Sequence, residues 1–138
     1  MKLLLDIILE ERNFGVLENI INTLFNDSRK HITNTEDENK LTNEYNLERL
    51  SLSVYKDYLV LDFIKSNKKG SASRALEDLC KYADKYQKVL CLSPTDAYVG
   101  KKNLNRLKAL YKRFGFAENK GKKSDFQIRY TMYRKPLQ

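Results

Sequence analysis

The chain has 138 residues, of which 41% are hydrophobic and 32% are charged, a balance that is typical of one folded domain and argues against disorder of the whole chain. No apolar run approaches the roughly 20 residues that a membrane-spanning helix needs. The apolar start of the chain is interrupted by Asp6, and no cleavage site follows, so we expect no signal peptide. We therefore expect a cytoplasmic protein with one domain over residues 1–138 and no membrane partner.

The charge is distributed unevenly along the chain. The formal net charge is +8, but residues 1–64 carry a net charge of −5 and residues 65–138 carry +13. This asymmetry indicates that the second half meets something anionic, such as nucleic acid, an acidic protein surface or a phosphorylated cofactor. A basic surface that serves only solubility is the alternative.

The cysteines and the histidine do not form a metal-binding pattern. Cys80 and Cys91 lie in apolar segments, and the one histidine, His31, is far from both in sequence. A metal site needs such ligands at short spacing, and a thiolate nucleophile needs a neighbouring base. We therefore expect two buried, reduced thiols and no metal.

The first third of the chain is predicted to contain one clear helix. Residues 2–9 form an apolar run that is too short to distinguish a strand from a helical turn. Apolar residues then recur at spacings of three and four, which predicts an amphipathic helix from Gly15 to about Lys30. Residues 33–46 are polar and acidic, and we expect them to form a mobile loop.

Two strands are predicted next. Alternation of apolar and polar residues from Leu47 to Tyr55 predicts a half-buried strand. Residues 56–57 can form a turn into residues 58–64, whose nearly continuous apolar character is typical of a central strand buried on both faces.

The second half alternates strands and helices. A polar loop over residues 65–73 leads into a helix with a predicted buried stripe of Leu76, Leu79, Cys80 and Ala83. A strand over residues 88–93, a helix from about Lys102 to Phe114 that Gly115 ends, and a strand from about Asp125 to Tyr133 are predicted to follow. This order predicts an α/β or α+β domain with a mixed sheet.

The loop before the first of these helices is suited to bind phosphate. Free N–H groups and the dipole at a helix N-terminus attract an anion. The small residues Gly70, Ser71, Ala72 and Ser73 would let it approach the backbone, and Lys68, Lys69 and Arg74 add positive charge. The loop is neither a Walker loop nor a dinucleotide loop, and an ordinary flexible connection would have a similar composition.

The order of elements and several local motifs resemble the GNAT superfamily of N-acetyltransferases, which bind acetyl-CoA. The family's pyrophosphate signature, Arg/Gln-x-x-Gly-x-Gly/Ala, is similar to residues 67–72, with Asn67 at its first position. Residues 110–116 (LYKRFGF) closely resemble the family's L-Y-x-x-x-G-F, and residues 127–136 resemble its closing strand. The resemblance covers about residues 50–138, whereas residues 1–49 are divergent.

The resemblance implies a GNAT-like α+β fold in which helices flank a mixed, mostly antiparallel twisted sheet. It implies that a backbone N–H between Leu61 and Phe63 polarises the thioester, that the neighbouring strand diverges to admit the pantetheine arm, and that residues 68–74 hold the diphosphate of acetyl-CoA. It also implies that Tyr111 is the general acid. A phenol has a pKa of about 10, but Tyr111 also lies on the apolar stripe of its helix and can serve only for packing.

The implied function is transfer of acetyl from acetyl-CoA, as co-substrate, to the amine of a protein or of an aminoacyl-tRNA. The base is left open between Asp62, Asp96 and Glu118, and water-mediated deprotonation without a dedicated carboxylate is also compatible with this reaction. We expect a monomer or homodimer, in the host cytoplasm if a bacteriophage encodes it, because small acetyltransferase-like proteins of bacteriophages end similarly. Two alternatives are a non-catalytic inhibitor or scaffold with this fold, and a nucleic-acid-binding module that uses the basic helix at residues 102–114.

Overall fold

The computed structural model describes residues 4–27, 32–66, 70–94, 100–125 and 127–137. The helices in these parts of the chain are α1 (Leu4–Asn26), α2 (Thr35–Tyr45), α3 (Ser71–Tyr86) and α4 (Gly100–Arg113), with a short 3₁₀ turn at Gly121–Lys123. The strands are β1 (Arg49–Tyr55), β2 (Tyr58–Lys65), β3 (Val89–Leu92), β4 (Ala117–Glu118) and β5 (Met132–Arg134). No helix in the described ranges combines the length and the apolar character that a bilayer span needs.

The strands form one sheet in the order β1-β2-β3-β5-β4. Strands β2 and β3 pair in parallel, and each of the other neighbouring pairs is antiparallel. A crossover through α3 makes the parallel pair possible, because parallel neighbours cannot be joined by a hairpin. The prediction of an α+β fold with a mixed, mostly antiparallel sheet is confirmed.

The two faces of the sheet are covered differently. One face carries the buried leucines of β1, β2 and β3, which pack against residues from all four helices. The other face carries a smaller cluster in which Val60, Cys91 and Tyr133 pack against Ile128. Ile128 belongs to the β4–β5 connection, defined here as residues 119–125 and 127–131. The helices therefore occupy one face, and an irregular segment covers part of the other.

The predicted mobile loop over residues 33–46 is wrong, because most of this segment is helix α2. The side chain of Asn34 caps the helix by accepting a hydrogen bond from the backbone N–H of Asp37 at 2.8 Å. The first turn is acidic, which complements the positive end of the helix dipole. Leu41 and Tyr45, four residues apart, are both buried. The helix forms with only these two buried apolar side chains because the Asn34 cap and the acidic first turn also stabilise it.

Helix α1 also differs from its prediction. Residues 4–9 of the apolar run are helical rather than a strand, and the helix ends at Asn26 instead of continuing to Lys30. Residues 28–31, which include His31, lie outside the described part of the chain.

The strand predicted from Asp125 to Tyr133 is also wrong for most of its length, because β5 covers only Met132–Arg134. The amide of Asn119 organises the preceding residues. Its Nδ2 donates to the backbone oxygens of Asp125 at 3.3 Å, Ile128 at 2.8 Å and Tyr130 at 3.1 Å. Its Oδ1 accepts from the N–H of Asp125 at 2.6 Å. One side chain thus satisfies carbonyls that a strand would pair with its neighbour.

The open edge of β1 is blocked by side chains. The N–H of Leu50 donates to Glu38 Oε1 at 3.2 Å, and the N–H of Leu52 donates to Thr33 Oγ1 at 3.2 Å. The N–H of Thr33 in turn donates to the oxygen of Leu52 at 2.8 Å. These bonds occupy ladder positions that would otherwise invite pairing with another chain.

Helices α2 and α3 are joined by one buried polar contact. The Tyr45 hydroxyl donates to Asp78 Oδ2 at 2.7 Å, and both residues are buried. Burial, and then this bond to a carboxylate, raise the pKa of Tyr45, so its phenol stays protonated. A buried carboxylate is tolerated only where such a donor satisfies it.

Replacing Tyr45 with Phe should lower the free energy of unfolding by about 1–3 kcal/mol, because it leaves the Asp78 carboxylate buried without its donor. Urea denaturation followed by circular dichroism measures this change. Tyr55→Phe is the matched control, since Tyr55 is 52% exposed and surface changes usually stay within about 0.5 kcal/mol. Equal stability of the two variants would contradict a structural role for the Tyr45–Asp78 bond.

Replacing Asn119 with Asp removes an NH₂ group and puts a second acceptor beside three carbonyls, at almost unchanged volume. We expect a loss of about 1–3 kcal/mol in the same assay. Asn105→Asp, on an exposed position of α4, is the control. A β4–β5 connection that keeps its amide protection against hydrogen exchange in Asn119→Asp would show that this side chain does not organise it.

Candidate active site

The hydrogen-bonded pairing of the parallel strands β2 and β3 stops before β2 ends. Their pairing runs from Tyr58–Val89 to Leu61–Leu92, where β3 stops, whereas β2 continues to Lys65. The prediction that residues 58–64, now β2, are buried on both faces therefore holds only for the first half of the strand. Beyond the last pair, β2 keeps β1 as a neighbour as far as Lys65 but no longer has β3 beside it, and Asp62 is exposed there.

A cavity of about 220 Å³ opens where the strands separate. Strand β2, the end of β3 with the residues after it, and helix α4 contribute its walls. The lining residues are Leu61, Asp62, Phe63, Ile64, Lys65, Leu92, Ser93, Pro94, Leu107 and Tyr111. Three of the predicted site residues, Leu61, Phe63 and Tyr111, thus meet in one cavity.

A β-bulge lies in the wall of this cavity. Ser51 of β1 pairs with Phe63 and Leu52 pairs with Leu61, so Asp62 is an extra residue on β2. The Asp62 carboxylate accepts a hydrogen bond from Ser53 Oγ at 3.1 Å. Bulges interrupt the ladder and change the direction of backbone groups, and they are common beside active sites. The bulge falls inside the segment in which the sequence predicts a polarising N–H.

Tyr111 is the only tyrosine among the described residues that line the cavity. Its ring is buried and packs against Phe116, with ring centroids 5.7 Å apart. The hydroxyl makes no hydrogen bond within the part of the chain that the structure describes, where no fully buried polar side-chain atom lacks a partner. The hydroxyl oxygen is therefore at least partly accessible, and Tyr111 is one of the residues that line the cavity. Burial raises the pKa of Tyr111 to about 12, so the phenol is protonated at neutral pH.

The residues after Tyr111 hold it in place. Gly115 adopts a φ of 96°, which ends the helix and turns the chain back, and the N–H of Phe116 then donates to the oxygen of Tyr111 at 3.2 Å. A Cβ on Gly115 would lie 3.3 Å from Arg134 Nε, and that same Nε donates to the oxygen of Phe114 at 2.8 Å. Glycine is thus required by both its backbone angle and its neighbour.

Arg134 connects this turn to α3. Its guanidinium is buried and forms two hydrogen bonds to Asp84, at 2.8 and 3.0 Å. The pKa of Asp84 is lowered by these bonds, so the pair is fully charged at neutral pH. Strand β5, helix α3 and the end of α4 therefore share one anchor, which fixes the helix that carries Tyr111.

The predicted phosphate-binding residues lie at the start of α3. Gly70 precedes the helix with a φ of 91°, has no side chain with which to cap it, and has no atom within 4 Å of the place where a Cβ would lie. The first N–H groups of the helix, at residues 71–73, have no partner within the helix and receive no side-chain cap from Gly70. Arg74 is exposed, and its guanidinium lies 5.5 Å from the centroid of the Tyr45 ring.

The other residues predicted to bind the cofactor lie either outside the described part of the chain or outside the cavity lining. Lys68 and Lys69, together with Asn67 of the signature, lie outside the described residues. Gly70, Ser71, Ala72, Ser73 and Arg74 form no part of the cavity lining, which ends on β2 at Lys65. The cavity and the start of α3 are thus successive along the chain and separated by residues 66–69.

The three candidate bases have different surroundings. Asp62 lines the cavity, and partial burial raises its pKa although the hydrogen bond from Ser53 opposes this shift. Glu118 lies outside the cavity lining and within 3.5 Å of the ammonium groups of Lys108, Lys112 and Lys120, and its hydrogen bond to Lys112 contributes most to lowering its pKa. Asp96 is outside the described residues. Among the described candidates, Asp62 is therefore the one that lines the cavity and has a raised pKa. Its carboxylate accepts the hydrogen bond from Ser53, whose neighbours Leu52 and Val54 point to the helices, so this bond lies on the opposite face of the sheet.

Neither cysteine is suited to nucleophilic chemistry. Both are buried, as predicted, and burial raises the pKa of Cys80 to about 11 and that of Cys91 to about 12. In the described parts of the chain, no group of His, Cys, Asp and Glu side chains is arranged to hold a metal ion.

Several cavity residues do not follow from the sequence analysis. Leu92, Ser93, Pro94 and Leu107 complete the lining, yet none belongs to a recognised motif. Pro94 carried a signal, because a proline just after a short strand marks where its pairing must end. Comparisons of the chain with models of known protein families, with curated proteins and with solved structures found no match.

Proposed function

We propose that this protein is an acetyl-CoA-dependent N-acetyltransferase of the GNAT type that acetylates an amine on a protein or on an aminoacyl-tRNA. The observation that carries the proposal is the cavity at the end of the β2–β3 pairing, with a β-bulge in one wall and Tyr111 in another. The similarity of residues 67–72 and 110–116 to the GNAT motifs supports the same function.

The residues present fit such a cofactor. The apolar side chains of Leu61, Leu92 and Leu107 suit the pantetheine arm, which is uncharged. The open N-terminus of α3 suits the diphosphate, with Gly70–Ser73 offering backbone N–H groups. Lys68, Lys69 and Arg74 would add charge there.

When bound, acetyl-CoA supplies an acetyl group as a thioester, so transfer forms a C–N bond to the amine and breaks the C–S bond. A backbone N–H of the bulge would donate to the carbonyl oxygen as negative charge develops on it. Asp62 would accept the proton that the amine nitrogen loses. Tyr111 would donate its proton to the departing sulfur, which the protonated state of its phenol allows.

Cofactor binding is tested by a thermal-shift titration with acetyl-CoA, CoA and ATP. A ligand present at 100 times its Kd stabilises the folded state by about 2.7 kcal/mol, so both CoA species should raise the Tm and ATP should not. Tyr111→Phe should keep this shift because the hydroxyl serves the chemistry and not the binding. A larger shift with ATP would contradict the proposed cofactor class.

Transfer is measured with radiolabelled acetyl-CoA and, as acceptors, total protein and total tRNA. Tyr111→Phe should lower the rate about 10²–10⁴-fold, the usual contribution of a proton donor, and Tyr55→Phe should leave it unchanged. A Tyr111→Phe variant with the full rate would favour the alternative of a non-catalytic binding protein, as would failure of the wild type to label either fraction.

The pH dependence of the rate tests the role of Asp62. A base must be ionised, so the rate should rise with pH through the raised pKa of this carboxyl. Ser53→Ala removes the hydrogen bond that lowers this pKa, and the rise should move to higher pH. Asp62→Asn should abolish the rise and slow transfer about 10²-fold at neutral pH. Identical profiles for wild type and Ser53→Ala would rule out this base.

A further inference from the structure

The sheet face that lacks helices carries a second concave site, at the turn between β1 and β2. Two adjoining cavities of about 390 and about 110 Å³ share most of their lining. Tyr55 and Tyr58, a cross-strand pair on either side of the turn, form one wall, and the β4–β5 connection forms the other. This tyrosine groove is defined by Tyr55, Lys56, Tyr58, Gln127, Arg129 and Tyr130.

The core does not account for the rings of the groove. Val54 and Leu59, beside them in sequence, point to the helices, so Tyr55 and Tyr58 point to the opposite face. Tyr55 is 52% exposed and belongs to neither hydrophobic cluster. Tyr58 and Tyr130 lie at the margin of the smaller cluster. Large rings at the surface of a concave site are typical of binding surfaces.

The groove is also positively charged. Its lining holds two cations and no acidic residue. Of the described carboxylates, that of Asp62 acts on it and, after burial, contributes to raising the pKa of Tyr130. The ammonium of Lys56 lies 5.3 Å from the centroid of the Tyr55 ring, and Arg129 forms no salt bridge with any residue that the structure describes. Asp57, the nearest acidic residue in the turn, is paired with Lys88 at 3.2 Å. The charge of the groove is thus available to a ligand.

The wall that carries Arg129 is fixed before any ligand binds. Asn119 holds the backbone on both sides of it, through the oxygens of Ile128 and Tyr130. The N–H of Thr131 donates to Ser93 Oγ at 3.0 Å, and Ile128 is buried beneath the wall. A preorganised wall lowers the cost of ordering a ligand against it.

We propose that the tyrosine groove binds single-stranded nucleic acid. Unpaired bases would stack on Tyr55 and Tyr58, and Lys56 and Arg129 would contact the phosphates, which is the combination of rings and cations that single strands require. A duplex hides the faces of its bases and could use only the charges, and an acidic peptide has no need of the rings. The groove shares no residue with the cavity at Tyr111, so this proposal does not depend on acetyl transfer.

The test is fluorescence anisotropy with labelled 12-nucleotide single strands of RNA and of DNA, and with a 12-base-pair duplex. Tyr55→Leu should weaken binding of a single strand about five- to hundredfold, the effect of losing one stacked base. Arg129→Gln should weaken it and also flatten its dependence on salt by about one phosphate contact. Lys81→Gln, on the exposed side of α3, is the control for loss of one positive charge.

The outcomes show whether nucleic acid binds at the tyrosine groove or at the basic residues of α4, represented by Lys112. Loss of binding in Tyr55→Leu and Arg129→Gln, with Lys81→Gln and Lys112→Gln like the wild type, supports the groove. Loss in Lys112→Gln alone, equal binding of the duplex, or no binding of either single strand near physiological salt would overturn the proposal. A cooperative thermal melt without ligand, followed by circular dichroism, shows whether each variant is folded. The thermal shift with acetyl-CoA concerns only the proposed enzyme.

Discussion

Two parallel strands can share hydrogen bonds only as far as the shorter one extends, and the candidate site depends on this limit. Strand β3 ends at Leu92, whereas β2 continues to Lys65. On the side of β3, the backbone of β2 beyond Leu61 therefore borders a cavity, while its other side still pairs with β1. The bulge at Asp62 falls at the same place, so a side chain and backbone groups are turned out of the ladder beside that cavity.

The rest of the fold keeps this gap open at a defined size. Helix α4 crosses it and contributes Tyr111, and the turn after α4 is fixed by Gly115 and by the buried pair of Arg134 and Asp84. Helix α3 begins just after β2 and is held to α2 through Asp78 and Tyr45. The wall formed by α4 is therefore held by polar contacts within the chain itself.

The sequence allowed the regular elements to be predicted where one pattern was sufficient. Alternation predicted β1, and the stripe of Leu76, Leu79 and Cys80 predicted α3. Prediction from the sequence failed where one polar side chain organises several neighbouring residues through hydrogen bonds. Helix α2 depends on its Asn34 cap and acidic first turn, and the irregular β4–β5 connection depends on Asn119. In both cases hydrophobicity carries no signal.

The site was predictable only in part for a related reason. Leu61, Phe63 and Tyr111 follow from similarity to known motifs, and they meet in the cavity. The bulge and the end of pairing at Leu92 are properties of two strands together, so neither strand's sequence reveals them. The tyrosine groove likewise combines a hairpin with the distant residues 127–130.

The central claim is that the gap between β2 and β3 receives the pantetheine arm of a coenzyme. Its most direct test is a titration of the ¹⁵N-labelled protein with coenzyme A, followed by NMR. The account predicts that the largest shifts occur in the amides of residues 61–65 on β2 and of residues 71–73 at the start of α3. Shifts confined to other parts of the protein, or none at millimolar coenzyme, would contradict it.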